Sequence, residues 1–122
     1  MITGSVSGHR QAIVRLRVRG PLAEIEIDAI IDTGFTSNLT LPAATVATLG
    51  LQQHSRGSAT LADGTTHSFK SYPVDIMWDG NWRRVLVYAL GKVPLLGMRL
   101  LAGYSLKIEC RVGGAVEVTS LP

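Results

Sequence analysis

Along most of the chain apolar and polar positions alternate with a period of two, the pattern of strands with one buried face. Ala12 to Arg19 and Glu24 to Ile31 both alternate in this way around Gly20-Pro21. That dipeptide is turn chemistry, so the two segments are expected to form a hairpin. Leu39 to Leu41 reads as a short strand. Pro42 to Leu49 breaks the period, with proline at the expected first helical position and Gly50 as the stop, so it is the one clear helix. Ala59 to Phe69 is strand-like on both sides of Asp63-Gly64, a strong hairpin signal. Val74 to Trp78 and Arg84 to Leu90 flank Asp79-Gly80-Asn81 in the same manner. Gly97 to Ala102 fits a short second helix closed by Gly103. Leu106 to Val112 and Ala115 to Thr119 flank Gly113-Gly114 as a last hairpin. About seven to nine short strands with turns every 8–12 residues predict a closed or sandwich-like all-β domain.

The 122 residues fit one domain, 1–122, with no linker, repeat or low-complexity tract. A content of 46% hydrophobic and 17% charged residues excludes a disordered or fibrous chain. No apolar run approaches the ~18 residues that span a bilayer. No apolar stretch follows a basic start in the first 20 residues, so neither a membrane partner nor a signal peptide is expected. The single cysteine, Cys110, cannot form an internal disulfide and fits a reducing, cytoplasmic setting. Its place in the alternation Ile108, Cys110, Val112 reads as a small core residue.

The formal charge is only +3, and basic residues cluster only at Arg15, Arg17 and Arg19. These three share one strand face and are expected to pair with Glu24, Glu26 and Asp28 on the returning strand rather than with phosphates. Nucleic acid is therefore not the expected partner. Trp78 and Trp82 bracket the Asp79-Gly80 turn and read as a cross-strand pair rather than a ligand-stacking one.

Most catalytic signatures are missing. His9, His54 and His67 are scattered without metal-ligand spacing, so no metal site is expected. The chain has no Gly-x-Ser-x-Gly elbow and no phosphate-binding Gly-x-x-x-x-Gly-Lys loop. The segment Ala29 to Ser37 differs: an apolar strand runs into Asp32-Thr33-Gly34. A carboxylate at the end of a buried strand is costly unless it gains partners. A glycine two residues on permits a tight turn whose backbone N–H groups can supply them. The tripeptide alone fits an aspartate-capped turn about as well as a catalytic loop.

The wider pattern adds to it. Ile30-Ile31-Asp32-Thr33-Gly34 resembles the active-site loop of the retropepsin-like aspartic proteases. Asp63-Gly64 lies where that family carries its flap, and Pro94-Leu95-Leu96-Gly97 with Leu100-Leu101 looks like its hydrophobic-hydrophobic-Gly motif and short helix. The resemblance runs from about Ile13 to Val118. Asp-Thr-Gly-Phe followed by Leu-Leu-Gly-x-x-Leu-Leu is similar to a bacterial-type branch of clan AA. Two departures stand out. Phe35 occupies the place where retroviral members usually have alanine, and the Asp63-Gly64 hairpin lacks their glycine-dense tip.

The resemblance implies a single-lobe acid-protease β-barrel that hydrolyses peptide bonds in a peptide or protein substrate. Asp32 would be catalytic. Thr33, Gly34, Leu96 and Gly97 would support its loop, and Phe35, Ala62, Asp63, Gly64 and Thr65 would line the substrate and form the flap. Water is the nucleophile, so no metal or organic cofactor is implied. The chain has one Asp-Thr-Gly and is too short for a two-lobed form, so the second carboxylate would come from a second copy in an isologous homodimer. The alternatives are a catalytically inactive peptide-binding or assembly module on the same fold, and a basic β domain that binds nucleic acid.

Overall fold

The computed structural model describes residues 1–122, except for the side chain of Ala59. Its elements follow in the order β1 (Ile2–Val6), β2 (Ala12–Arg19), β3 (Glu24–Ile31), β4 (Leu39–Leu41), α1 (Ala43–Leu49), β5 (Ser55–Thr60), β6 (Thr66–Trp78), β7 (Asn81–Ala89), β8 (Leu95–Leu96), α2 (Met98–Leu101), β9 (Tyr104–Ile108) and β10 (Ala115–Ser120). The chain is thus mainly β, and neither helix is long and apolar enough to cross a membrane.

The hairpin with the clearest alternation forms as read. β2 and β3 pair antiparallel, from Ile13 opposite Ile30 to Arg19 opposite Glu24. Val14, Leu16 and Val18 are buried while Arg15 and Arg17 are exposed. Arg15 meets Asp28 at 3.0 Å and Arg17 meets Glu24 at 2.9 Å. Arg19 departs from the expected pairing. Its guanidinium lies 3.9 Å over the Trp82 ring and reaches Asp75 at 3.4 Å.

The sheet closes on itself. β3 continues through β8, β4 and β7 to β6, and β6 pairs back to β2 at Val18–Ile76 and Arg19–Asp75. Closure removes the open edges of those six strands. Two of the pairings, β3–β8 and β4–β7, are parallel. β1, β10 and β9 extend the sheet from β2, and β5 extends it from β6. The barrel interior holds Leu39, Leu41, Ile76, Val87, Leu96 and Leu100, all fully buried. Each contributes about 1.5–3 kcal/mol relative to exposure. α1 plugs the core with Val46 and Leu49.

Four further expectations change. Pro42 caps α1 from outside, with ψ 148°, instead of occupying its first turn. The strand expected to run to Val112 ends at Ile108. Over Glu109–Gly114 the chain winds into a tight loop instead of a two-residue hairpin, with the Arg111 N–H on the Glu109 carbonyl and the Gly114 N–H on the Arg111 carbonyl. That loop turns Cys110 out to the surface, so it is not a core residue. Finally, the register sets Trp82 opposite Met77 and Trp78 opposite Asn81, which places the two tryptophans on opposite faces. Trp78 packs edge-on against Tyr104 instead, with ring centroids 5.5 Å apart.

Candidate functional site

β3 delivers Asp32 to the end of a barrel strand. The Asp32 N–H donates to the Leu96 carbonyl at 2.9 Å, continuing the β3–β8 ladder by one more bond. Just beyond, the chain turns back: the Phe35 N–H donates to the Asp32 carbonyl at 3.1 Å, and the Gly34 N–H donates to Asp32 Oδ1 at 3.0 Å. The carboxylate is therefore half-buried with a backbone donor aimed at it, the partner that an apolar strand end demands. Thr33, next to it, is exposed.

The loop rests on the second motif. The Gly97 N–H donates to the Asn38 carbonyl at 2.9 Å, and the Met98 N–H to the Phe35 carbonyl at 2.8 Å. Gly97 is buried so tightly that a Cβ there would lie 2.1 Å from the Ser37 carbonyl oxygen and 2.5 Å from Phe35 Cδ2. A side chain at that position would push the loop off its seat. Leu96 is wholly buried beneath it. Thr40, also wholly buried, accepts the Leu95 N–H on its hydroxyl at 2.9 Å, which satisfies both groups in the interior.

The hairpin of β5 and β6 bends over the same loop. Its tip reaches Gly34: a Cβ there would fall 2.8 Å from Ala62 Cα and 2.9 Å from Ala62 Cβ. The Thr60 N–H lies 3.4 Å from the Thr36 hydroxyl. At the tip Asp63 Oδ1 accepts both the backbone N–H and the hydroxyl of Thr65, at 2.9 and 2.6 Å. These bonds hold the Asp63 carboxyl below its ordinary range, the Thr65 hydroxyl contributing most. Gly64 sits at φ +84° and closes the turn. Asp32, Gly34, Ala62, Leu96 and Gly97, distant in sequence, are thus brought into one neighbourhood.

Phe35 belongs to that neighbourhood from below. It is fully buried, packed with Tyr88, Leu61, Phe69 and Leu95, so it props the loop and the hairpin rather than offering surface to a ligand. Tyr88 escaped the sequence reading, although it ties the hairpin down. Its hydroxyl donates to the Ser58 carbonyl at 3.0 Å, and Phe69 packs against its ring at a tilt of 47°, with centroids 5.8 Å apart. The one signal available was Gly57, a glycine inside a strand that marks a close approach. A Cβ there would meet the Tyr88 hydroxyl at 2.3 Å.

A cleft of about 420 Å³ starts at Ile30 and Ile31, the residues leading into Asp32, and continues between Val6, Ala12, Ile108 and Arg10. Its apolar walls and two flanking arginines, Arg10 and Arg111, suit a side chain of an extended ligand. The other aspartates are engaged elsewhere: Asp28 with Arg15, Asp63 with Thr65, Asp75 with Arg84 and Asp79 with Tyr104. Among the described residues no cluster of three or more His, Cys, Asp or Glu side chains forms. Comparison of the chain with protein-family models, with curated proteins and with solved structures returns no match.

Proposed function

We propose that the chain is an aspartic-type endopeptidase of retropepsin-like architecture. In this reading two copies meet at the Asp32–Thr33–Gly34 loop, and the twofold-related Asp32 carboxylates form the catalytic pair. The observation that carries it is the convergence on one loop of a strand-end carboxylate with a backbone donor, a glycine seat at Gly97 and a hairpin tip at Ala62. The engagement of every other aspartate with a partner of its own favours a second copy as the source of the second carboxylate.

The chemistry follows from two carboxyl groups too close for both to be charged. The ionised one takes a proton from water as the water oxygen attacks the peptide carbonyl carbon. The neutral one gives its proton to the carbonyl oxygen, leaving a tetrahedral diol. As the C–N bond breaks, a proton passes to the departing nitrogen and one carboxyl recovers its own. The exposed Thr33 would brace the two loops across the axis, and the hairpin tip would close over the peptide.

The test is cleavage of a peptide library read by mass spectrometry, with Asp32→Ala as control. Specific cleavage products that vanish in Asp32→Ala are expected. Mixing an excess of Asp32→Asn chains with wild type, under conditions of subunit exchange, should lower activity as the square of the wild-type fraction. A linear fall would mean that each chain carries a complete site. A wild-type protein that binds library peptides without cutting any would favour the inactive peptide-binding module.

A further inference from the structure

A second recess lies behind the Asp32 loop. A groove of about 300 Å³ is lined by Ser37 and Asn38 from the loop, Arg83, Arg84 and Leu86 from β7, and Arg99 from α2. Three of the chain's twelve Lys and Arg residues therefore meet in one small depression. Arg84 is answered by Asp75 at 3.0 Å. Arg83 and Arg99 are exposed, and among the described residues neither has a carboxylate within bridging distance. Two of the three arginines in this depression are thus left without a carboxylate partner.

The floor is not wholly polar. Leu86 is 39% exposed, large for an apolar side chain on a barrel strand. Asn38 spans the recess, its side-chain amide donating to the Leu86 carbonyl at 3.3 Å. Two unmet guanidinium groups in one recess with an exposed apolar side chain fit an extended segment carrying carboxylates and one apolar side chain, with arginine suited to paired carboxylate oxygens. The volume admits a few side chains, not a folded element. A single-stranded nucleic acid would want aromatic faces to stack on. The one aromatic residue present, Tyr88, is buried and its hydroxyl is engaged with Ser58.

We propose that this groove docks an acidic, extended segment of a protein partner, with Arg83 and Arg99 as its charge-reading residues. The groove shares its wall with the loop that carries Asp32. The Arg99 N–H donates to the Ser37 carbonyl at 3.2 Å, and the Gly97 N–H to the Asn38 carbonyl. Docking here would therefore occur directly behind that loop, and it does not depend on Asp32 being catalytic.

The experiment is a titration of a fluorescent peptide of alternating glutamate and leucine, followed by anisotropy. Wild type and Asp32→Ala should bind equally, and added salt should weaken both. Arg83→Glu with Arg99→Glu should weaken binding about tenfold or more. Lys92→Glu with Lys107→Glu, at exposed positions outside the groove, alters net charge identically and should retain most of it. The four charge-reversed positions are exposed, and circular dichroism should confirm intact folds for every variant. Absence of peptide binding by wild type overturns the proposal. So does equal weakening by the two double variants, or a single-stranded oligonucleotide that displaces the peptide at lower concentration than an unlabelled peptide of the same sequence.

Discussion

The dipeptide Asp-Gly occurs twice, at Asp63-Gly64 and Asp79-Gly80, and the chain builds two different turns from it. At Asp79-Gly80 both residues take positive φ, +50° and +87°, and Trp78 pairs directly with Asn81 across a two-residue loop. At Asp63-Gly64 only Gly64 does so, and a three-residue loop runs from Leu61 to Thr65, closed by the Leu61 N–H on the Thr65 carbonyl. Both are favoured hairpin solutions. The single strand β6 links them, but its halves live in different surroundings. From Ser71 to Trp78 it is a barrel stave paired with β7 and β2, whereas from Thr66 to Lys70 it pairs with β5 alone. The dipeptide sets where a turn falls, and what its arms pair with sets whether the turn belongs to the barrel or to the hairpin that covers the Asp32 loop.

The sharpest contrast lies in the aromatic residues of the two halves. Trp78 is 4% exposed against Tyr104, while Phe69 is half-buried over Tyr88. Trp78→Ala should cost about 3–5 kcal/mol of unfolding free energy in urea. Phe69→Ala should cost far less, about 1 kcal/mol, since only part of its surface is removed from water. Equal losses would mean that the outer half of β6 is as much a part of the core as the barrel half.

Next in size is the anchor of the cover. Gly57→Ala places a methyl group 2.3 Å from the Tyr88 hydroxyl, so the ring must shift and its bond to Ser58 break. A loss of about 1–3 kcal/mol is expected. Amide exchange should quicken across β5 and the outer half of β6 while β2 and β3 keep their protection. Uniform acceleration over the whole barrel would show that the hairpin is not a separate unit. A smaller effect should separate the two glycines themselves. Alanine at Gly64 or Gly80 has open space for its Cβ, so only the positive φ resists it, by about 1–2 kcal/mol. At Gly80 that strain should appear as lower global stability. At Gly64 it should appear mainly as local opening, and, on the proposed function, as slower peptide cleavage.

The same contrast explains what could be read in advance. β2 and β3 were legible because every second residue is charged, the turn is short and the pairing is local, so one pattern carried both register and burial. Both Asp-Gly dipeptides mark hairpin turns, as the alternation around them implies. β1 was not legible. Its Thr3, Gly4 and Ser5 give a weak alternation, and its partner β10 lies at the far end of the chain. Nor was the pairing that closes the sheet, Val18 with Ile76, a contact no local window contains. The strand expected through Cys110 failed because Glu109 competes for the backbone, its carboxylate accepting the Ala115 N–H at 3.0 Å and reversing the chain early. Asp32, Gly34, Leu96 and Gly97 were found as motifs. Tyr88, Ser37 and Thr40, which hold those motifs together, belong to no motif and emerged only from packing.

The smallest effect concerns the carboxylates on the two halves of β6 and its turn. Asp75, on the barrel half, is held below the ordinary carboxylate range chiefly by its hydrogen bond to Arg84, opposite it on β7, and secondarily by Arg19 on β2. Asp63 is lowered too, but by Thr65, two residues away in its own turn. The sign is the same and the consequence is not. A carboxyl whose folded pKa is depressed adds stability above its unfolded value, about 3.9, and that stability drains away as pH falls through the lower folded value. For Asp75 the lost contacts bridge β6 to β7 and β2, so the drain is felt in global unfolding. Its partners are mostly solvent-exposed, which limits the contribution to about 0.2–1 kcal/mol and makes it shrink with salt. Asp75→Asn should lower stability at neutral pH by about that much and flatten the stability profile below about pH 4. Asp63→Asn should leave the global profile unchanged and instead loosen the turn, seen as faster exchange of the Thr65 amide. If Asp63→Asn flattens the acid profile as much as Asp75→Asn, the hairpin unfolds with the barrel and the division of β6 into stave and cover is wrong.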